Sequence, residues 1–455
     1  MRFRRVLPAL LLLLFAPAAL LAQTQSEQIR LLGEVRVRGE VERPADFDTT
    51  DAFTLLRSRL GLEARLSPRA LVFLQLQDSR TFGEEGSTTD ASADRFDLHQ
   101  GYLQYGSDSG SWAWAARVGR QEIALGNERL IGAVGWSNTG RSFDAARVSI
   151  GPRPRAARHA PRARARMRSA PAAATAPAWS LTAFAANIQE RGRRLTGTTP
   201  PDSDHLLFGA FLDAAPFEAF AFHDASAHYR QFRDVDRSTL GARVATTAGA
   251  GIAASVEGAW QLGSQLNTLT AGPAPIAQDI EAFLLGGRLG YLAPMSTLRR
   301  IGVGVDLLSG DDDPDNDTYR AFNTMYATNH KFYGYIDLFL DPAARTLNRG
   351  LVDAMASLTL GLPRAPVLEV DAHGFWLHRD LLSSDDRLIG WELDFTIPVR
   401  LGPGQQLHLG YSAFRNGPAA PLIGLGAERD MWHWAYLQAS FAFGGAAPPV
   451  LKEEE

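Results

Sequence analysis

Apolar and polar residues alternate with period two through most of this chain. Val35, Val37 and Val41 are interleaved with Glu34, Arg36, Arg38, Glu40 and Glu42, and Leu56, Leu60, Leu62 and Leu66 with Arg57, Arg59, Glu63 and Arg65. Farther on, Trp391, Leu393, Phe395, Ile397 and Val399 alternate with Glu392, Asp394, Thr396 and Arg400. Near the end, His433, Ala435, Leu437, Ala439, Phe441 and Phe443 alternate with Trp434, Tyr436, Gln438 and Ser440. Successive side chains of a strand point to opposite faces, so this pattern predicts strands with one apolar and one polar face.

The connectors between these runs are of two kinds. Ser67-Pro68, Gly106 to Gly110, Ala214 to Pro216, Ala293 to Ser296, Pro363 to Ala365 and Gly402 to Gly404 are tight. Thr81 to Arg95, Gly126 to Gly140, Arg191 to Asp204, Gly263 to Asp279, Ser309 to His330, Arg379 to Asp386 and Asn416 to Arg429 are long and polar. Short turns at one end and long loops at the other are the plan of an outer-membrane barrel. The spacing predicts an all-β, transmembrane antiparallel barrel of about 18 strands, with about 16 as the alternative count. Soluble propellers, sandwiches and β-helices also use alternating strands. Two features favour the barrel. Charge enters the polar faces freely (Arg36 with Arg38, Arg57 with Arg59, Glu369 with Asp371), which suits a wet lumen better than a packed interior. Trp112, Trp136, Tyr291, Trp376, Trp391 and Trp432 stand at strand ends, where an interfacial aromatic girdle needs them.

Composition narrows the function classes. With no cysteine, the chain has no disulfide, thiol nucleophile, cysteine-held zinc or iron–sulfur cluster, and no cysteine for a lipid anchor. A net charge of −4 lacks the excess of Lys and Arg that phosphate neutralisation requires, so no nucleic-acid partner is expected. Residues 1–22 read as a secretory signal: Arg2, Arg4 and Arg5 precede an apolar run from Val6 to Ala16, and small residues lead to Ala22. That run falls short of the roughly 20 residues of a bilayer-spanning helix. Residues 23–443 are assigned to the barrel and 444–455 to an acidic tail, and the expected location is the outer membrane of a Gram-negative cell.

A set of motifs resembles the alginate-export family of outer-membrane barrels. Val118-Gly119-Arg120-Gln121 is followed by Gly126-Asn127-Glu128-Arg129-Leu130-Ile131-Gly132, then Trp136-Ser137-Asn138 and Gly140-Arg141-Ser142-Phe143-Asp144. This is similar to the family's strand ending in Gly-Arg-Gln, its looped segment with Gly and Arg, and its return strand opening Arg-x-Phe-Asp. Ser309-Gly310-Asp311 running to Asn329-His330-Lys331-Phe332-Tyr333-Gly334 resembles the family's long acidic loop. Gly390-Trp391-Glu392-Leu393-Asp394 and Leu409-Gly410-Tyr411-Ser412 follow in the family's order. The resemblance implies a barrel of about 18 strands whose arginine-lined lumen passes an acidic polysaccharide outward.

An anionic polymer carries a carboxylate on each sugar, and arginine is always charged and grips carboxylates with two parallel hydrogen bonds. Alternation turns Arg36, Arg38, Arg57, Arg59, Arg65, Arg117, Arg147, Arg243 and Arg288 inward. Arg120, Arg129 and Arg141 belong to the family-like motif, with Asp144 and Glu122 as ion-pair partners. The candidate substrate pathway is therefore Arg57, Arg59, Arg117, Arg120, Arg129, Arg141 and Arg147 with Asp144. Asp311, Asp313 and Asp315 form a weak metal candidate that fails the EF-hand template, because Asn316 stands where Gly is needed and Phe322 where the closing Glu should be. No catalytic or cofactor motif appears, and no cofactor is expected.

Gly151 to Pro177, rich in Arg, Pro and Ala, departs from the family and reads as a flexible insert at the periplasmic mouth. It reads either as a tolerated linker or as a basic flap whose arginines gather anionic polymer or a periplasmic export protein. The expected function is passive conduction of an alginate-like polysaccharide or oligosaccharide through a lipid-embedded barrel. The alternatives are a general or anion-selective porin for small solutes and a non-conducting adhesion or scaffold barrel.

Overall fold

The computed structural model describes residues 29–44, 50–83, 95–108, 110–153, 179–189, 205–229, 232–246, 251–268, 274–293, 297–362, 367–381 and 384–445. The first strands are β1 (Ile29–Arg43), β2 (Asp51–Ser67), β3 (Ala70–Phe82), β4 (Arg95–Ser107), β5 (Trp112–Gln121) and β6 (Phe143–Pro152). They are followed by β7 (Ser180–Gln189), β8 (His205–Ala214), β9 (Phe217–Tyr229), β10 (Phe232–Ala245), β11 (Ile252–Asn267), β12 (Ile276–Leu292) and β13 (Leu298–Leu308). The last are β14 (Thr318–Tyr319), β15 (Leu351–Gly361), β16 (Val367–Leu377), β17 (Leu388–Gly402), β18 (Gln405–Asn416) and β19 (Met431–Phe443). β14 is a two-residue strand lying parallel to β12. The other eighteen make one antiparallel sheet that closes on itself where β1 pairs with β19. The chain is a closed antiparallel barrel of 18 strands, as the alternation and connectors predict.

The two faces are chemically opposite. Val118, Val148, Leu240, Leu285, Leu289, Ile301, Val303 and Val305 are exposed on the outer face, while Arg57, Gln77, Asp224, Gln261, Asp306 and Asp394 are buried on the inner one. An apolar belt on a barrel's exterior belongs against lipid. No helix among the described residues is long and apolar enough to cross a membrane, so the crossing falls to the strands. Trp112–Trp179 and Trp376–Trp391 pack edge to face with centroids 5.6 and 5.2 Å apart. Trp136, expected in such a girdle, instead lies buried inside the barrel, because its segment folds into the lumen.

The connectors sort by end, as their lengths predict. The turns β2–β3, β4–β5, β8–β9, β12–β13, β15–β16 and β17–β18 share one end with the strand termini Ile29 and Phe443. The segments 122–142 and 309–350 leave from the other end and fold inward. The expected signal at 1–22 lies outside the described residues, as do 154–177 of the insert and 446–455 of the tail.

Candidate functional site

The lumenal arginines of β1 and β2 hold the 122–142 segment by its main chain. Arg36 Nη1 donates to the Gly135 carbonyl at 2.8 Å and Nη2 to that of Ser137 at 2.9 Å. Arg57 Nη1 donates to the same two carbonyls at 3.0 and 2.9 Å, and its Nη2 meets Glu34 Oε1 at 2.6 Å. Arg38 donates to the Trp136 carbonyl at 2.9 Å, pairs with Glu40 at 2.6 Å and lies 3.7 Å over the Trp136 ring. Gln77 and Ser79 on β3 continue the row to Thr139 and Asn138. Arg59 bonds Gln77 Oε1 at 2.7 Å and Glu122 at 3.2 Å, and Glu122 also takes His99 Nε2 at 2.7 Å. Burial pushes the Glu122 carboxyl up, but the His99 hydrogen bond and the Arg59 guanidinium outweigh it and hold the group below its ordinary range.

The two inward segments also clasp each other. Ile131 bridges Tyr326, with Gly132 N donating to Tyr326 O at 2.9 Å and Tyr326 N to Leu130 O at 2.8 Å. Glu128 takes Lys331 Nζ at 2.6 Å and Thr328 Oγ1 at 2.6 Å. Arg141 donates to the carbonyls of Gly132, Tyr326 and Ala327. Gly132 is required by this approach, since a Cβ there would stand 2.2 Å from Thr328 Oγ1. Arg129 anchors the clasp to the opposite wall, reaching Glu257 on β11 at 3.0 Å and Asp306 on β13 at 2.6 Å. Burial opposes its charge, but Asp306, Tyr333 and Glu257 together hold it well above its ordinary value.

The predicted pathway residues therefore fall into three groups. Arg57, Arg59, Arg129 and Arg141 are committed to loop carbonyls, Gln77 and carboxylates. Arg117 and Arg147 face the lumen directly opposite each other on β5 and β6, half-buried. Arg117 donates to Gln104 Oε1 at 2.8 Å and lies 4.0 Å over the Tyr102 ring, while Arg147 has no ion pair among the described residues. Arg120 and Asp144 form the third group. They pair bidentately at 2.8 Å, but on the outer face that they share with Val118 and Val148, because the register runs unbroken through Gly119 and Ala145. The structure thus takes both out of the lumen.

Asp311, Asp313 and Asp315 do not assemble a metal site. Asp311 accepts from the amides of Asp313 and Arg320, each at 2.9 Å, and Asp313 from that of Asp315 at 3.1 Å. These carboxylates cap their own chain, and no group of three or more His, Cys, Asp or Glu among the described residues could hold a metal ion. A feature that the motifs did not single out is an acid-rich wall on β15, β16 and β17, where Asp353, Asp371, Glu392 and Asp394 are all buried on the inner face. Its signal in the sequence is the shared parity of Glu369 and Asp371, and of Glu392 and Asp394. In strand order this wall lies across the ring from Arg117 and Arg147.

Solved structures share this architecture. OccK2 (OpdF) of Pseudomonas aeruginosa is 12% identical with a TM-score of 0.54, and the match covers 92% of this chain and 98% of that one. The same protein in complex with glucuronate is matched at 9% identity and a TM-score of 0.53, over 91% of this chain and 96% of that one. OccK8 (OprE) from the same organism is 11% identical with a TM-score of 0.53, over 92% and 98%. No curated protein matches the chain. The sequence model described as alginate export matches residues 28–420.

Proposed function

The chain belongs to the alginate export family and is an outer-membrane β-barrel channel, and from that premise we propose that it conducts an anionic, uronate-bearing polysaccharide or oligosaccharide by passive transport. The observation that carries this reading is the Arg117–Arg147 pair. Two guanidiniums opposed on the lumenal wall, neither neutralised by a carboxylate among the described residues, repel each other unless an anion lies between them. Fixed cationic groups at a narrow point are the general device for anion selectivity. OccK2, a barrel of the same fold, is solved in complex with glucuronate, a sugar carboxylate of this class.

A porin for small anionic solutes is the second reading. It is favoured by the 122–142 and 309–350 segments, which run between opposite walls and narrow the bore. Planar-bilayer recording of the purified chain tests both. Anion-selective conductance blocked by polyuronate supports polymer transport. Selectivity for small anions without polyuronate block supports the porin, and absence of conductance overturns both in favour of an adhesion or scaffold barrel. The basic insert at 151–177 is the proposed gathering point for polymer or an acidic export partner, tested by its deletion, and the mass of the mature chain tests cleavage near Ala22.

A further inference from the structure

The two opposed arginines of the β5–β6 wall are held in different ways. Arg117 Nε and Nη2 both donate to Gln104 Oε1, at 3.2 and 2.8 Å, so one edge of its guanidinium is fixed by the side chain directly opposite on β4. Its flat face lies 4.0 Å over the Tyr102 ring. On its β3 flank Tyr102 is braced by its register partner Phe73, with ring centroids 5.2 Å apart. On its β5 flank the residue directly opposite is Gly119, which has no side chain and leaves the ring open to Arg117 two positions away. Diagonal neighbours across a strand pair are about 7–8 Å apart, within reach of an aromatic ring and a long side chain. Arg147, opposite Arg117 on β6, makes no hydrogen bond or ion pair among the described residues. All four of Tyr102, Gln104, Arg117 and Arg147 are half-buried.

We propose that Tyr102 and Gln104 are positioning residues that fix Arg117 as a ready-made carboxylate fork, and that Arg117 with Arg147 forms a discrete subsite for the carboxylate of one uronic acid unit. The proposal rests on the anionic transport reading and names the place on the wall where the sugar is gripped. Gln104 occupies the Nε–Nη2 edge, so the Nη1–Nη2 edge is the one left for a ligand. Its N–H groups match the two oxygens of a carboxylate in parallel hydrogen bonds, whereas a chloride ion offers a single centre and cannot use the fork. An amide at position 104 fixes the guanidinium without neutralising it, which a carboxylate in its place would do. Because the ring and the amide order Arg117 before the ligand arrives, binding has less side-chain freedom to remove. Arg147 then closes on the bound carboxylate from the neighbouring strand, and the shared anion relieves the repulsion between the two like charges. Glu63, opposite Phe73 in the β2–β3 register, does not compete for them, since it already meets Arg30 and Arg65 at 3.5 and 3.6 Å.

The test is block of the single-channel chloride current by sodium glucuronate, for the full-length wild type, Tyr102→Leu and Tyr102→Phe, with the reversal potential in a potassium chloride gradient recorded alongside. Tyr102→Leu removes the ring and keeps both arginines. Glucuronate block is expected to weaken about 2- to 30-fold, the range that loss of a cation–π contact supports, while the reversal potential stays in place. Tyr102→Phe keeps the ring face and should block as the wild type does. Undiminished block in Tyr102→Leu, a reversal potential that collapses together with the block, or an equal loss in Tyr102→Phe overturns the positioning role. A wild type blocked by polyuronate but not by glucuronate overturns the subsite and leaves the transport reading standing; a wild type blocked by neither overturns both. Should Tyr102→Leu not fold, Gln104→Leu, which frees the Nε–Nη2 edge, replaces it with the same expected weakening, and undiminished block there overturns the proposal.

Discussion

Arg36 and Arg57 stand directly opposite each other on β1 and β2, and both donate to the carbonyl oxygens of Gly135 and Ser137. Two like charges in this register would separate if left alone. Shared acceptors, together with Glu34 against Arg57, turn the repulsion into a grip on the loop.

Breaking that grip is expected to loosen the constriction. Arg57→Met leaves Glu34 without its guanidinium partner in a buried setting, a loss of about 3–5 kcal/mol for a pair of this kind. Single-channel recording should show larger and noisier conductance, and the protein should unfold at lower temperature. Unchanged conductance would place the 122–142 segment outside the conduction path.

Arg129 is the anchor on the far wall. Arg129→Met strips one partner each from Glu257 and Asp306, although Asp306 keeps Arg288 at 2.7 Å. Limited proteolysis should then cut within 122–142 or 309–350 while the strands survive.

Selectivity should depend on which face an arginine occupies. Arg147→Glu places a carboxylate opposite Arg117 in the lumen and is expected to shift the reversal potential toward cations and to weaken block by polyuronate. Arg120→Glu alters only the outer face, where it sets two acids side by side with Asp144. It should leave the reversal potential where it is.

Acid should release the loop through Glu122. Its folded-state pKa is lowered, so its stabilising contribution is complete above the unfolded value of about 4.3 and is lost as pH falls through the lower folded value. Conductance steps recorded down a pH series should grow in that acid window, and Glu122→Gln should remove that dependence.

Much of the barrel is legible in the sequence, for a simple reason. A strand has only two faces, so Val118 against Arg117, or Leu393 against Asp394, declares its own orientation. Connector length likewise separates the two ends. The lumen resists the same reading because its partners are remote in sequence. Arg129 and Asp306 are 177 positions apart, and Arg129's role depends on a loop folding inward, which no periodicity records. Arg120 shows the opposite limit. It sits in a lumen-like motif, yet one step of register puts it outside with Asp144. Trp136 has the composition of a girdle residue and the position of a core one.

Trp136 carries a further consequence for assembly. Its ring lies under Arg38 of β1 at 3.7 Å and edge-on to Trp434 and Tyr436 of β19 at 5.9 and 5.0 Å. Those are the first and last strands of the wall, joined only at the seam where the sheet becomes a cylinder. A loop from the middle of the chain thus rivets that seam from within. Trp136 therefore meets its full set of cationic and aromatic neighbours only where β1 and β19 are paired into a closed cylinder.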